Sequence, residues 1–155
     1  MRRTGEKIVI LLVDDDPDCR LLIREAISEC KIDNVVFEVA EGRSALDFVF
    51  QRGDYTNAPR PGLIYLDVEM PGISGQEVLA AIKSSRQHRD IPIVMMTGVC
   101  DEEHMRRAAI NGANSYTLKP ANAQQFLKTV LDSTNYWMSI HQYPRHHLVP
   151  EECRR

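Results

Sequence analysis

Short apolar runs alternate with amphipathic segments along the chain. Residues 8–13 read IVILLV, an unbroken apolar run typical of a strand buried on both faces. Asp14-Asp15-Asp16-Pro17 follows. Asp16 suits a helix N-cap and Pro17 the first helical position, where its missing N–H costs nothing. Leu22, Ile23, Ala26 and Ile27 share one helical face, which predicts a helix to about residue 30. Residues 35–40 predict a partly alternating strand, as at a sheet edge, and residues 42 to about 53 a helix with Ala45, Leu46, Val49 and Phe50 inward. The polar, proline-bearing stretch 54–61 predicts a loop. A third strand over 63–66 ends at Asp67. Met70-Pro71-Gly72 then makes a turn before a helix from Gly75 to about residue 86 that carries Val78, Leu79 and Ile82. Residues 91–96 predict a fourth strand ending at Thr97-Gly98, and 101–111 a weakly apolar helix in which Ala108 and Ala109 offer little to bury. A short strand over 115–118 runs into Lys119-Pro120. The last helix starts near Asn122. Ala123, Phe126, Leu127, Val130, Leu131, Trp137 and Met138 keep helical spacing, and Pro144 bounds it.

Five strand–helix units in series predict an α/β fold: a doubly wound, five-stranded parallel sheet with helices on both faces. In such sheets functional groups gather at the carboxyl ends of the strands.

Composition narrows the class. A chain of 155 residues, 43% hydrophobic, is enough for one core. The formal net charge of -3 advertises no polyanion partner. Cys19, Cys30, Cys100 and Cys153 show no metal-ligand spacing and read as reduced thiols. The apolar run behind Arg2 and Arg3 meets Asp14 too soon for a signal peptide or membrane span. The expectation is a cytoplasmic protein without membrane association.

The predicted strand ends carry chemistry that fits together: Asp14 and Asp15 after the first strand, Asp67 after the third, Thr97 after the fourth and Lys119 after the fifth. Alone, each has a plain structural reading, such as a helix cap, a turn hydroxyl or a solvated amine. Together, converging carboxylates repel one another and require a cation. Oxygen ligands with open positions suit Mg2+. A carboxylate nucleophile attacking phosphorus also needs the phosphoryl oxygens neutralised by metal, ammonium and hydroxyl.

The segments ILLVDDDP, LIYLDVEMPGISG, IPIVMMTG and GANSYTLKP resemble, in order and spacing, the signature blocks of the receiver domain of two-component response regulators. The resemblance covers residues 6–142, leaves 143–155 as a short tail, and implies the CheY-like strand order 2-1-3-4-5. It also implies roles. Asp67 would be the phosphoacceptor. Asp15 would bind Mg2+ directly, Asp14 through water, and Glu69 through its backbone carbonyl. Lys119 would pair with the aspartate and then the phosphoryl group, aimed by a cis Lys119-Pro120 bond. Thr97 would turn toward the phosphoryl group, and Tyr116 would rotate inward behind it, reshaping the face of the fourth helix, fifth strand and fifth helix. Without that switch, Tyr116 reads as a strand residue with its hydroxyl in water. Gly98 would keep the donor's approach open, and Glu69 and Val99 would line the pocket mouth.

A narrower resemblance, carried by NAPRPGLIYLD, IKSSRQHRDIPIVMMT and YWMSIHQYP, is to the single-domain regulators paired with bacterial phytochromes. It implies a phytochrome-type histidine kinase as partner and a homodimer formed through the switching face. The tail after Pro144 is too short for a helix-turn-helix, and His146-His147 lack metal partners. The expectation is therefore no output domain and no direct DNA binding, with output passing to a downstream protein target. Two other readings fit parts of the pattern. One is a haloacid-dehalogenase-type phosphatase, which needs an aspartate where Glu69 stands. The other is a receiver-fold binding module that is never phosphorylated.

Overall fold

The computed structural model describes residues 7–98 and 100–140. Five strands alternate with five helices: β1 Ile8–Val13, α1 Pro17–Ser28, β2 Asn34–Val39, α2 Gly42–Phe50, β3 Leu63–Asp67, α3 Gly75–Lys83, β4 Ile93–Thr97, α4 Glu102–Ile110, β5 Ser115–Leu118 and α5 Ala123–Asn135. A 3-10 turn, Gly53–Tyr55, interrupts the predicted loop, and a π-helical turn, Tyr136–Ile140, extends α5. The sheet order is β2-β1-β3-β4-β5, with every pairing parallel. The family-type order is thus the observed one.

Burial follows from this order. The central strands β1, β3 and β4 are covered on both faces, which explains their unbroken apolar runs. β2, at an edge, is only half-buried over most of its length. One core layer lies between the sheet and α2, α3 and α4 and includes Leu11, Val13, Ile64, Leu66 and Met95. The other lies against α1 and α5 and includes Leu12, Tyr65, Met96, Phe126 and Val130. Period-two alternation decides which side chain enters which layer.

Local rules account for most boundaries. Asp16 caps α1 by accepting from the Asp18 N–H, with Pro17 at the first position. Asn122 caps α5 by accepting from Gln124 and Gln125. α2 stops at Phe50, short of the predicted end, because Gln51 turns left-handed at φ 55°. α3 stops at Lys83, earlier than predicted, with Ser84 as its C-cap. β4 begins at Ile93, after Pro92, which has no ladder donor.

The predicted faces need two corrections. In α2 the fully buried apolar residues are Ala45, Phe48 and Val49, while Leu46 and Phe50 are only half-buried. Phe48 wins because its ring packs between Phe37 and Tyr55, at centroid distances of 5.3 and 5.6 Å. In α5 Ala123 is exposed, whereas Trp137 and Met138 are buried although they follow the regular helix. Pro144 and the tail lie outside the described residues.

Candidate functional site

Register brings the predicted groups to one rim. Val13 pairs with both Val39 and Leu66, so Asp14 leaves β1 level with Asp67 on β3. Asp67 pairs with Met96, and Thr97 pairs with Leu118, which puts Thr97 one step beyond Asp67 at the end of β4 and Lys119 one step further, just past β5. Asp14 is 2% exposed and Asp67 8%, whereas Asp15 is exposed. One carboxylate oxygen from each lies within 4.8 Å of the others.

Lys119 is the counter-charge. Its ammonium donates to Asp14 Oδ2 at 2.8 Å and to Asp67 Oδ1 at 3.4 Å. The Lys119-Pro120 peptide is trans, not cis as the resemblance implies. The trans form is favoured by about 0.5–1 kcal/mol even before proline. The flexible lysine stem reaches both carboxylates from it.

The electrostatics are crowded. Burial, and then the charges of Asp14 and Asp15, raise the Asp67 carboxyl to about 6, with Lys119 acting the other way. Burial works against the Lys119 ammonium, yet its bond to Asp14 and the charges of Asp14 and Asp67 outweigh that and hold it above its usual range. One ammonium among three carboxylates leaves the cluster short of positive charge. An oxygen-only donor set of this kind fits a hard divalent cation.

Two neighbours were not singled out in the sequence. Cys19, in the first turn of α1, is buried beside Asp14. Burial and the hydrogen bond to Asp14 push its thiol up to about 12, so it stays protonated. Gly75, the first residue of α3, sits directly against the acceptor strand. A Cβ there would stand 2.0 Å from the Asp67 carbonyl oxygen, and the Gly75 N–H donates to the Val68 carbonyl at 3.0 Å. Ser74 and Glu77 close a capping box that fixes this helix start. The S-x-x-E spacing carried that signal.

The remaining predicted residues surround the rim. Thr97 is buried at the end of β4. A Cβ added to Gly98 would meet nothing within 4 Å, consistent with open approach. Glu69 is exposed and lines an open groove of about 420 Å³ with Met70, Gln76, His104 and Arg107. Val99 lies outside the described residues. Tyr116 packs half-buried against the α3–α4 core layer, and its hydroxyl is buried. Burial raises its phenol, and the Thr97 hydroxyl acts in the opposite direction. A Tyr116 hydroxyl in water is therefore ruled out.

Residues 10–131 match the response regulator receiver domain family. The chain belongs to this family. This receiver is 33% identical to response regulator Rcp1 of Synechocystis sp. over 88% of its own length and 92% of that protein's. Among solved structures, it is similar to the phosphorylated cyanobacterial phytochrome response regulator RcpA. The TM-score is 0.87 at 33% identity, covering 90% of this chain and 100% of that one. It is also similar to the manganese-bound form of Rcp1, with TM-score 0.85 at 33% identity, covering 89% and 99%. The receiver is thus related to phytochrome response regulators, within a signalling family. Receivers hold a divalent metal at an acidic pocket, and Asp14, Asp15 and Asp67 form such a pocket here. Among the described residues, no helix is long and apolar enough to cross a membrane.

Proposed function

We propose that Asp67 accepts a phosphoryl group from a sensor histidine kinase of the phytochrome type. The observation that carries the acceptor role is the Lys119 ammonium bridging Asp14 and Asp67 inside the three-carboxylate cluster, and the similarity to phytochrome response regulators supports the kinase type. Mg2+ would be held directly by Asp15 and Asp67, through water by Asp14, and by the Glu69 carbonyl. When bound, it supplies positive charge for the phosphoryl oxygens.

The chain's own groups do the rest. An Asp67 carboxylate oxygen attacks phosphorus in line, the phosphorus–nitrogen bond of the donor phosphohistidine breaks, and the imidazole leaves. Burial makes Asp67 costly to ionise, so a cation in the cluster favours the nucleophilic carboxylate. Lys119 passes from the carboxylate to a phosphoryl oxygen, and Thr97 turns its hydroxyl toward the same group. The Tyr116 ring, already turned against the core, takes the space that Thr97 vacates. That biases the α4-β5-α5 face between two packings.

The signal then passes by protein contact from a receiver unit spanning 6–142, with 143–155 as an appended tail. Met105, Ile110 and Leu118 leave apolar surface exposed on α4 and β5, which supports homodimer formation there.

Incubation with acetyl phosphate and Mg2+ tests the chemistry. The wild type should gain one phosphoryl group per chain by intact mass, and beryllofluoride with Mg2+ should bind. Asp67→Asn should do neither. Labelling that survives in Asp67→Asn would sink this reading, as would a wild type inert to both reagents.

A further inference from the structure

An ion-paired arginine grips the acidic cluster from outside, and the chemistry above does not use it. Arg20 lies near the start of α1, where the helix dipole disfavours a cation. Asp16 and Asp18, at and beside the cap, follow the usual acidic preference there. Arg20 breaks it, and its partners offset the cost. Nη1 donates to the Asp14 backbone carbonyl at 2.6 Å, and Nε lies 3.3 Å from Glu38 Oε1 on β2. The second Glu38 oxygen pairs with Arg24. The Arg20 and Glu38 side chains are only 19% and 26% exposed.

With Arg20 in place, every oxygen of Asp14 is held. Oδ1 accepts from the Asp16 N–H at 2.9 Å, Oδ2 accepts from Lys119 at 2.8 Å, and the carbonyl accepts from Arg20. The carbonyl matters most. It belongs to the planar peptide unit that joins Asp14 to Asp15, so fixing it also fixes the N–H and Cα of Asp15. Asp15 is the exposed member of the cluster. Among the described residues no hydrogen bond to its own side chain orients it, so the Cα position set by this backbone plane limits where its carboxylate can reach.

We propose that Arg20, anchored by Glu38, is a positioning residue of the divalent metal site: it sets the Asp14–Asp15 peptide plane and so directs the Asp15 carboxylate into the cluster. The proposal rests on the cluster holding a metal. Its rival is a plain counter-charge, and the two differ in sign. A nearby cation repels a divalent ion, so removing it as a charge alone would tighten metal binding. Removing it as a positioner weakens binding, typically by about 10–100-fold for groups that orient metal ligands.

The test is Mn2+ titration of the metal-free full chain, followed by the resonance of the free ion, with unfolding in chelator as a control for the fold. Arg20→Gln should weaken Mn2+ by about 10-fold or more. Arg20→Lys keeps the charge but cannot span the Asp14 carbonyl and Glu38 together, and should weaken Mn2+ several-fold. An Arg20→Gln affinity that is unchanged or tighter overturns the proposal. So does an Arg20→Lys affinity equal to wild type, and that variant carries the test should Arg20→Gln fail to fold. A wild type that binds no Mn2+ at all would instead overturn the metal reading on which the proposal rests.

Discussion

Asp67 shows how a single side chain records its surroundings in solution behaviour. Its carboxyl is raised from 3.8 to about 6, first by burial and then by Asp14 and Asp15. Below the unfolded value both states are protonated. Between that value and about 6 the unfolded chain releases a proton that the folded chain keeps, so metal-free stability falls as pH rises through this window and levels off above it. Asp67→Asn lacks this titration. In urea unfolding with chelator it should match wild type near the acid end of the window and exceed it by about 1–3 kcal/mol at neutral pH. A difference that does not change with pH would contradict the burial account. Gly75 makes the opposite case, where a missing atom is the function. The Asp67 carbonyl oxygen occupies the place of its Cβ, and backbone cannot yield as a side chain tip can. Gly75→Ala should cost about 2–4 kcal/mol in urea unfolding and depress acetyl phosphate labelling. A stable, fully labelled variant would show that α3 moves more freely than this packing implies.

At the scale of elements, the rim is precise because the helices behind it are tied to the sheet. Tyr65, two residues before Asp67, bonds through its hydroxyl to Thr134 Oγ1 at 2.7 Å, joining β3 to the end of α5. Thr134 in turn donates to the Val130 carbonyl at 2.7 Å, so the buried pair is satisfied within α5. Lys83, at the end of α3, donates to the Arg89 and Ile91 carbonyls at 3.0 and 2.7 Å and to Asn114 Oδ1 at 2.8 Å. The same Asn114 oxygen accepts the Ile93 N–H at 3.0 Å, so one lysine joins α3, the entry to β4 and the approach to β5. Lys83→Met keeps the apolar stem but orphans these acceptors. It should destabilise the protein by about 2–3 kcal/mol, read as a lower urea midpoint with an unchanged slope. A loss below about 0.5 kcal/mol would mean that water replaces the ammonium at no cost.

For the whole molecule, the sheet order collects charge at one rim and leaves apolar surface on the α4 and β5 side. Ile110 is 76% exposed, Leu118 49% and Met105 41%, more than solvation favours for such side chains. Leu118→Glu changes no core contact, so its unfolding should stay within about 0.5 kcal/mol of wild type. In analytical ultracentrifugation the wild type should dimerise, and Leu118→Glu should be monomeric at the same concentrations. A Leu118→Glu dimer as tight as wild type would place the interface elsewhere.

Much of this was legible in the sequence. The both-face apolar runs IVILLV and LIYL demanded central strands, and Asp16-Pro17 and Asn122 marked helix starts. Residue types at the strand ends were enough to expect Asp14, Asp15, Asp67, Thr97 and Lys119 at one rim, because a parallel α/β sheet delivers its strand ends to one side. These are local or periodic signals, and the chain states them itself. Other features depended on what folding brings close in space. Phe48 rather than Phe50 fills the layer under α2, since Phe37 and Tyr55 shape that space. Gly75 must lack a side chain because of a carbonyl eight residues away, and Cys19 stays protonated because it is buried against Asp14. The Arg20–Glu38 grip on Asp14 likewise depends on distances across β1 and β2. Periodicity records which way a residue faces along its own element. Only the packed molecule decides what it meets there, because burial, hydrogen bonding and charge act through space rather than along the chain.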